Sequence, residues 1–229
     1  MFKRLLYCGR YKKEFKKFPI IRVFLYKLDS LWESKLLPFI SRYWLINMKL
    51  KGVILGKNIT IIGKPTIKMH PFSKISIGNN VGLNSSSFRS SSTALYSPCR
   101  FVTHFPSAKI IIEEETGLNG TAIIARSKKI ILGKRVKIAP NVSIFDSPFH
   151  YLWPLEKRSK YSTSELDKEI IIGNDVWICA GCFILPGASI GDGSVVAANS
   201  LVNKPFPPNC LIGGSPAKII KFLDGRNEL

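Results

Sequence analysis

The sequence predicts an all-β solenoid, a parallel β-helix built from six-residue repeats, and three observations predict it. Ile172, Ile178, Ile184, Ile190, Val196 and Val202 recur at strict intervals of six. Four residues after each of the first five stand Val176, Cys182, Ala188, Ser194 and Ser200, all small or β-branched. The turns between them hold Gly, Asn and Asp, as in Gly173-Asn174-Asp175 and Gly191-Asp192-Gly193. A period of six matches neither the 3.6 of a helix nor the alternation of a long strand. It fits very short strands joined at tight corners, where each coil buries its apolar face only against the next coil.

Upstream the repeat returns in pieces: Ile61 and Ile67; Ile77 and Leu83; Ile112, Leu118 and Ile124; Leu132, Ile138 and Ile144. The phase slips between these blocks, so insertions interrupt the coils. Residues 84–108 carry a serine-rich patch and the Tyr96-Ser97-Pro98 turn, which mark an irregular region. Residues 145–168 break the register entirely, with Asp146, His150, Trp153, Pro154 and the run Glu156-Lys157-Arg158. A long loop leaving a rigid solenoid is a place where function concentrates. After Val202 come a proline-rich segment, a short strand Cys210-Leu211-Ile212 and the turn Gly213-Gly214-Ser215-Pro216. Ala217 to Leu223 is expected to form a short helix bearing Lys218 and Lys221.

The 229 residues hold one β-helix domain, expected over 51–222 with a loop insertion at 145–168, a basic helical extension at 1–50 and a tail at 223–229. The formal charge is +19, and residues 1–51 carry thirteen Lys and Arg against Glu14, Asp29 and Glu33. Such a balance calls for an anionic partner. From Pro19 to Met48 the chain is apolar and aromatic. Helical spacing places Ile21, Phe24, Leu25, Leu28, Leu31 and Trp32 on one face, and Pro38 separates two helical pieces. No run reaches the roughly eighteen uncharged residues that a bilayer span needs. Two readings of the segment stand: an amphipathic element lying on an anionic membrane face, or a cap over the open end of the β-helix. A secretory leader is not expected, because residues 1–17 lack its apolar core. Five cysteines without framework spacing point to a reducing, cytoplasmic setting. The Cys179-x-x-Cys182 pair falls on repeat positions, so packing is expected of it rather than metal or redox chemistry.

Ile172 to Lys221, reading IIIGNDVWICAGCFILPGASIGDGSVVAANSLVNKPFPPNCLIGGSPAKIIK, resembles the last coils of the left-handed β-helix acyltransferases. Within that family it is most similar to the maltose/galactoside and exopolysaccharide O-acetyltransferase branch. The resemblance covers residues 53–222, is most specific from 170 onward and is absent from the first fifty residues. It implies a triangular prism of three hexapeptides per coil, a homotrimer, and acetyl-CoA bound in the groove between adjacent prisms.

It also implies roles for particular residues. The segment Asn141 to His150 is similar to the one holding the family's catalytic histidine. A sugar hydroxyl is a poor nucleophile until a base takes its proton, and a neutral imidazole suits that task. Asp146 either orients the imidazole or caps the loop, and Pro148 stands where some relatives have a second acid. Asn119 matches a substrate-facing asparagine that binds the acceptor or the developing oxyanion, or else it is a corner residue. Trp177, Ala180, Ala198, Asn203, Lys204, Lys218 and Lys221 match positions around the coenzyme. The lysines face its phosphates, or are solvated; Trp177 walls the acetyl site, or packs between subunits.

The expectation that follows is an acetyl-CoA-dependent O-acetyltransferase acting on a sugar hydroxyl, with a surface-polysaccharide precursor (capsule, O-antigen or exopolysaccharide) as acceptor. Other acceptors stay open: an amino sugar, a serine or an antibiotic. A zinc hydratase like the γ-class carbonic anhydrases would need three converging histidines, and His70, His104 and His150 lack that spacing; no metal is expected. A non-catalytic membrane-binding scaffold is the third class. Nucleic acid is not expected as a partner, since the solenoid shows no basic stripe with interleaved aromatics.

Overall fold

The computed structural model describes residues 37–224 apart from 88, 89, 91 and 92, together with Phe24, Lys27 and Leu28. The chain divides into two compact units, Met1–Arg42 and Tyr43–Leu229. In the first unit Phe24, Lys27 and Leu28 are helical and exposed; the rest of the face expected over Ile21–Trp32 lies outside the described residues. The helix α1 (Leu37–Leu50) carries Pro38 in its first turn. Proline is tolerated there because the first N–H groups of a helix have no intrahelical partner.

Within the second unit the repeats wind into three sheets. The first contains β1 (Ile54–Leu55), β4 (Lys74–Ile77), β7 (Lys109–Ile112), β10 (Lys129–Leu132), β13 (Ile170–Ile172), β16 (Ser189–Ile190) and β19 (Pro205–Phe206). The second contains β2 (Thr60–Ile62), β5 (Gly82–Asn84), β8 (Gly117–Asn119), β11 (Lys137–Ile138), β14 (Trp177–Ile178), β17 (Val195–Val196) and β20 (Cys210–Gly214). The third contains β3 (Thr66–Lys68), β6 (Arg100–Thr103), β9 (Ala122–Ala125), β12 (Ser143–Phe145), β15 (Phe183–Ile184) and β18 (Leu201–Val202). Successive strands of the chain therefore visit the sheets in rotation, and every pairing between coils is parallel. This is a parallel β-helix with three strands per coil.

The six-residue period is a register of interior columns. Leu83, Leu118, Ile138, Ile178, Val196 and Ile212 stack inside the second sheet, all essentially inaccessible to solvent. Each such side chain contributes about 1.5–3 kcal/mol on burial. The corners explain the Gly, Asn and Asp of the turns. Asn58, Asn80, Glu115, Arg135, Asp175, Gly193 and Asn209 all have φ between 55° and 68°, each three residues before the inward residue of the second sheet. The next corner repeats the device with Gly120, Asn141, Gly181 and Asn199. One position departs from the sequence reading. Ile123, not Ile124, points inward, pairing with Phe101 and Ile144, so only five residues separate it from Leu118. The corner at Asn119-Gly120 is one residue short.

The two ends differ. On α1, Met48 is buried in the core and Trp44 and Leu45 pack against it, whereas Tyr43, Ile46 and Leu50 are exposed. At the other end the expected helix is a strand, β21 (Ala217–Phe222), antiparallel to β20. The Gly213–Pro216 turn reverses the chain along the last rung, and β-branched Ile219 and Ile220 favour extended backbone. Pairing also satisfies an edge that a helix would leave open.

Candidate active site

The outward column of the second sheet runs Thr60, Gly82, Gly117, Lys137, Trp177, Val195. A Cβ at Gly82 would meet nothing within 4 Å, and one at Gly117 only Lys137 Cδ at 3.9 Å. The missing side chain of Gly117 opens onto a recess of about 230 Å³ lined by Ser90, Gly117, Asn119, Lys137, Pro140 and Trp177, among others. Trp177 is half exposed, and Lys137 Nζ donates to the Glu115 carbonyl at 3.0 Å. The Asn119 amide donates to Ile138 O at 2.8 Å and accepts from Asn84 Nδ2 at 3.2 Å. One N–H and one lone pair of that amide remain. The Ser90 hydroxyl is buried and has no hydrogen-bond partner among the described residues.

The chain around Ser90 belongs to the excursion between β5 and β6, which folds back over the shortened corner. A Cβ on Gly120 would lie 2.9 Å from Ser97 O, so only glycine admits this approach. Asn141 holds the excursion from two coils away, accepting from Tyr96 N at 2.8 Å and donating to Ala94 O at 2.9 Å.

His150 stands on a second excursion, between β12 of the third sheet and β13 of the first. It includes α2 (Leu155–Lys160) and a single 3-10 turn, Ser164–Leu166. His150 Nδ1 lies 3.1 Å from the Arg158 carbonyl. A carbonyl can only accept, so Nδ1 carries the hydrogen and Nε2 of the neutral ring keeps its lone pair. Asp146 is fully buried, and its carboxylate accepts from the backbone N–H of Arg126 at 2.6 Å, Ser127 at 3.1 Å and Lys128 at 2.7 Å. Burial pushes that carboxyl group above its ordinary range, and the three amides oppose the shift. Asp146 therefore meets backbone N–H groups at the base of the loop, while the partner at His150 Nδ1 is the Arg158 carbonyl.

The other histidines are placed differently. His104 is exposed and meets Phe149 edge-on at 6.4 Å; partial burial, then Lys68 and Arg126, lower its pKa. His70 Nδ1 accepts from Phe72 N at 3.2 Å. Among the described residues no three His, Cys, Asp or Glu side chains gather as metal ligands would. Cys179 and Cys182 are free thiols, both raised in pKa by burial, and Cys182 Sγ bonds the Ala197 carbonyl at 3.1 Å.

Ala180 and Ala198 follow Pro140 along one corner, tied by Gly181 N to Pro140 O at 3.0 Å and Asn199 N to Ala180 O at 2.9 Å. Lys218 and Lys221 are exposed on β21, opposite Gly213 and Leu211. Asn203 and Lys204 occupy the corner after β18, between the third and first sheets, with Lys204 Nζ 5.6 Å from the Phe206 ring centroid. Asn119, Trp177, Ala180, Ala198, Lys218 and Lys221 thus share the second sheet and its edge. Asn203, Lys204 and His150 do not, and His150 does not line the recess. Sequence reasoning passed over Ser90, Gly117, Lys137 and Arg158. Lys137 sits one rung from Trp177 but forty positions away in sequence, a neighbour visible only once the second excursion is subtracted.

Comparison with known proteins follows from this architecture. The family profile described as bacterial transferase hexapeptide (six repeats) matches residues 169–204. These coils carry the hexapeptide repeat of the bacterial transferases. This hexapeptide-repeat protein is 38% identical over 101 residues to a galactoside O-acetyltransferase of Escherichia coli (strain K12), covering 43% of this chain and 47% of that one. It is 33% identical to a lipopolysaccharide biosynthesis O-acetyl transferase of the same strain, covering 55% of this chain and 66% of the other. A solved hexapeptide-repeat-containing acetyltransferase from Vibrio cholerae aligns with TM-score 0.53 at 25% identity, covering 79% and 78% of the two chains. The fold is therefore the left-handed parallel β-helix of that family. The chain spans about half the length of the curated relatives it matches.

Proposed function

We propose that this protein is an acetyl-CoA-dependent O-acetyltransferase of a sugar hydroxyl, with His150 as general base. The observation that carries the reading is the imidazole held through Nδ1–H by the Arg158 carbonyl, which leaves Nε2 free to accept a proton. The acceptor oxygen attacks the thioester carbonyl as Nε2 takes its proton. The new C–O bond forms, the C–S bond breaks, and the proton passes to the departing thiolate. Both substrates meet directly, so proximity supplies much of the rate without an acyl-enzyme. Asn119, through its remaining N–H, is the proposed ligand of the acceptor hydroxyl or the oxyanion.

A homotrimer fits the separation of His150 from the recess. In one chain they belong to different sides of the prism; in an assembly of adjacent prisms, His150 of one copy can face the recess of the next. Acetyl-CoA then lies along the second sheet. Trp177 stands beside the acetyl end, Ala180 and Ala198 admit the pantetheine arm, and Lys218 and Lys221 face its phosphates. Asn203 and Lys204, on the other corner, belong to the same groove when supplied by a second copy.

The acceptor proposed is a surface-polysaccharide precursor, and residues 1–50 are the proposed contact with an anionic membrane. Tyr43, Ile46 and Leu50 present an exposed apolar face there, flanked by Lys49 and Lys51. No helix among the described residues is long and apolar enough to cross a bilayer. The domain covering 51–222 is taken as the transferase.

The deciding experiment is thiol release from acetyl-CoA by wild type and His150→Ala, across sugars, amino sugars and lipid-linked glycans. Acceptor-dependent release that falls at least about a hundredfold in the variant supports general-base catalysis. Equal turnover removes His150 from the mechanism, and absence of acetyl-CoA binding by calorimetry removes the transferase itself.

A further inference from the structure

Both ends of the excursion that carries His150 are tied to one turn of the β-helix, residues 125–128. At the entry, the Asp146 carboxylate receives the three backbone N–H groups of Arg126, Ser127 and Lys128. At the exit, Asp167 Oδ2 accepts from Ser127 Oγ at 2.6 Å, and Lys168 N donates to the Asp146 carbonyl at 2.9 Å. Between them lies the Arg126 guanidinium. Its Nη1 donates to Ser147 Oγ at 3.1 Å and to Thr163 Oγ1, and its Nη2 donates to Ser162 Oγ at 2.9 Å. Nη1 is also 3.6 Å from Asp167 Oδ1, a buried oxygen with no hydrogen bond, and the guanidinium carbon lies 5.7 Å from the Phe105 ring centroid. The Arg126 side chain is only 13% exposed and that of Asp167 is fully buried.

We propose that Arg126 is the positioning residue of the catalytic loop, clamping its two ends so that His150 is delivered to a fixed place. The proposal rests on His150 being the general base. A planar fork with several donors can bridge Ser147 on the entry side of the loop and Ser162, Thr163 and Asp167 on the exit side at once; an ammonium cannot. The buried Asp167 carboxylate also has this guanidinium as its neighbouring cation. Removing the cation leaves that charge uncompensated, and the base of the loop opens. His150 is four residues from Asp146, so an opened base displaces the imidazole directly. The β-helix below it keeps its own ladder, since Arg126 belongs to no interior column.

The test uses the full chain, with Arg126→Met, Arg126→Lys and Asp167→Asn beside wild type. Limited trypsinolysis reads the clamp, because Lys157 and Arg158 are exposed at the far end of the loop. Acetyl transfer reads its consequence for His150. Arg126→Met is expected to be nicked within 157–160 about tenfold faster. Its kcat should fall about a hundredfold while KM for acetyl-CoA changes less than about threefold. Arg126→Lys keeps the charge and loses the fork; it should lie between the two, and it carries the comparison if the methionine variant does not fold. Unchanged nicking overturns the clamp. Faster nicking with unchanged kcat overturns the positioning role. A wild-type rate in His150→Ala overturns the proposed base instead, and is recognised because nicking of Arg126→Met still rises.

Discussion

Gly117→Val should make this protein more stable and less active at the same time. Gly117 opens β8, paired on both sides, with its missing Cβ aimed outward, and its nearest foreign atom would be Lys137 Cδ at 3.9 Å, an ordinary contact. Its φ lies outside the left-handed region, so a β-branched residue enters without backbone strain. Glycine at a position paired within a sheet is about 0.5–1 kcal/mol less favourable than alanine, and valine adds a few tenths more. The expected gain is therefore about 1 kcal/mol, read from urea denaturation. The new methyl groups project into the recess of about 230 Å³. Forcing a ligand past them costs about 1–3 kcal/mol, or roughly a 5- to 150-fold rise in KM. Gly82→Val supplies the control. It stands one rung away in the same outward column, faces open space, and does not line the recess, so it should give the same stability gain with an unchanged KM. Unaltered kinetics in Gly117→Val would refute the assignment of the recess. A loss of stability would refute the outward column itself.

Three further outcomes follow from the same geometry. Asp146→Ala strands three amide donors that the carboxylate now receives, and should cost about 3 kcal/mol in denaturant unfolding; a cost below about 1 kcal/mol would show that water replaces the carboxylate. The His104 imidazole, depressed by partial burial and by the cations Lys68 and Arg126, should titrate below its ordinary value of 6.5 in an NMR titration. Because its folded pKa is the lower one, the unfolded chain binds more protons, and stability should decline as pH falls through 6.5 toward the folded midpoint. A midpoint at or above 6.5 rejects that electrostatic picture, and His104→Gln should remove the slope. Replacing Tyr43, Ile46 and Leu50 together by serine should abolish salt-sensitive binding to vesicles rich in anionic lipid while leaving the circular dichroism spectrum unchanged. Undiminished binding moves the contact elsewhere in the chain.

The β-helix was legible because its period is written once per corner. The inward aliphatic residues from Ile172 to Val202 and the Asn and Asp turns correspond to stacked columns and to backbone in the left-handed region, one residue per corner. Ile124 was misplaced because a six-residue template cannot register a corner that loses a residue. Only the partner strands show that Ile123 takes the interior site. The terminal segment misled for another reason: Ala217 to Leu223 was read as a short helix bearing Lys218 and Lys221, whereas a neighbouring unpaired edge decided for a strand. At the candidate site, His150 was singled out through its segment, and the structure adds a partner that no sequence pattern marks. Arg158 acts through a carbonyl, and every residue has one. Asp146 drew attention as a carboxylate near a histidine, and its three amide partners lie some twenty positions upstream, on another coil. Arg126 carried no motif at all.

The ends of the solenoid decide whether copies of it remain separate molecules. Every coil is a template for one more, and a bare last rung would accept a neighbour's first rung as readily as its own next repeat. The hairpin of β20 and β21 closes that possibility on the second sheet by returning the chain antiparallel, a direction in which no further coil can be wound. On the first sheet, β19 begins with Pro205 and is followed by Pro207 and Pro208, which offer no N–H to an incoming strand. At the opposite end α1 lays Met48 over the first coil. Cutting the chain after Gly214 would thus do more than remove two lysines: it would leave the rung Cys210–Gly214 as an open edge, free to pair with the same edge of a second copy.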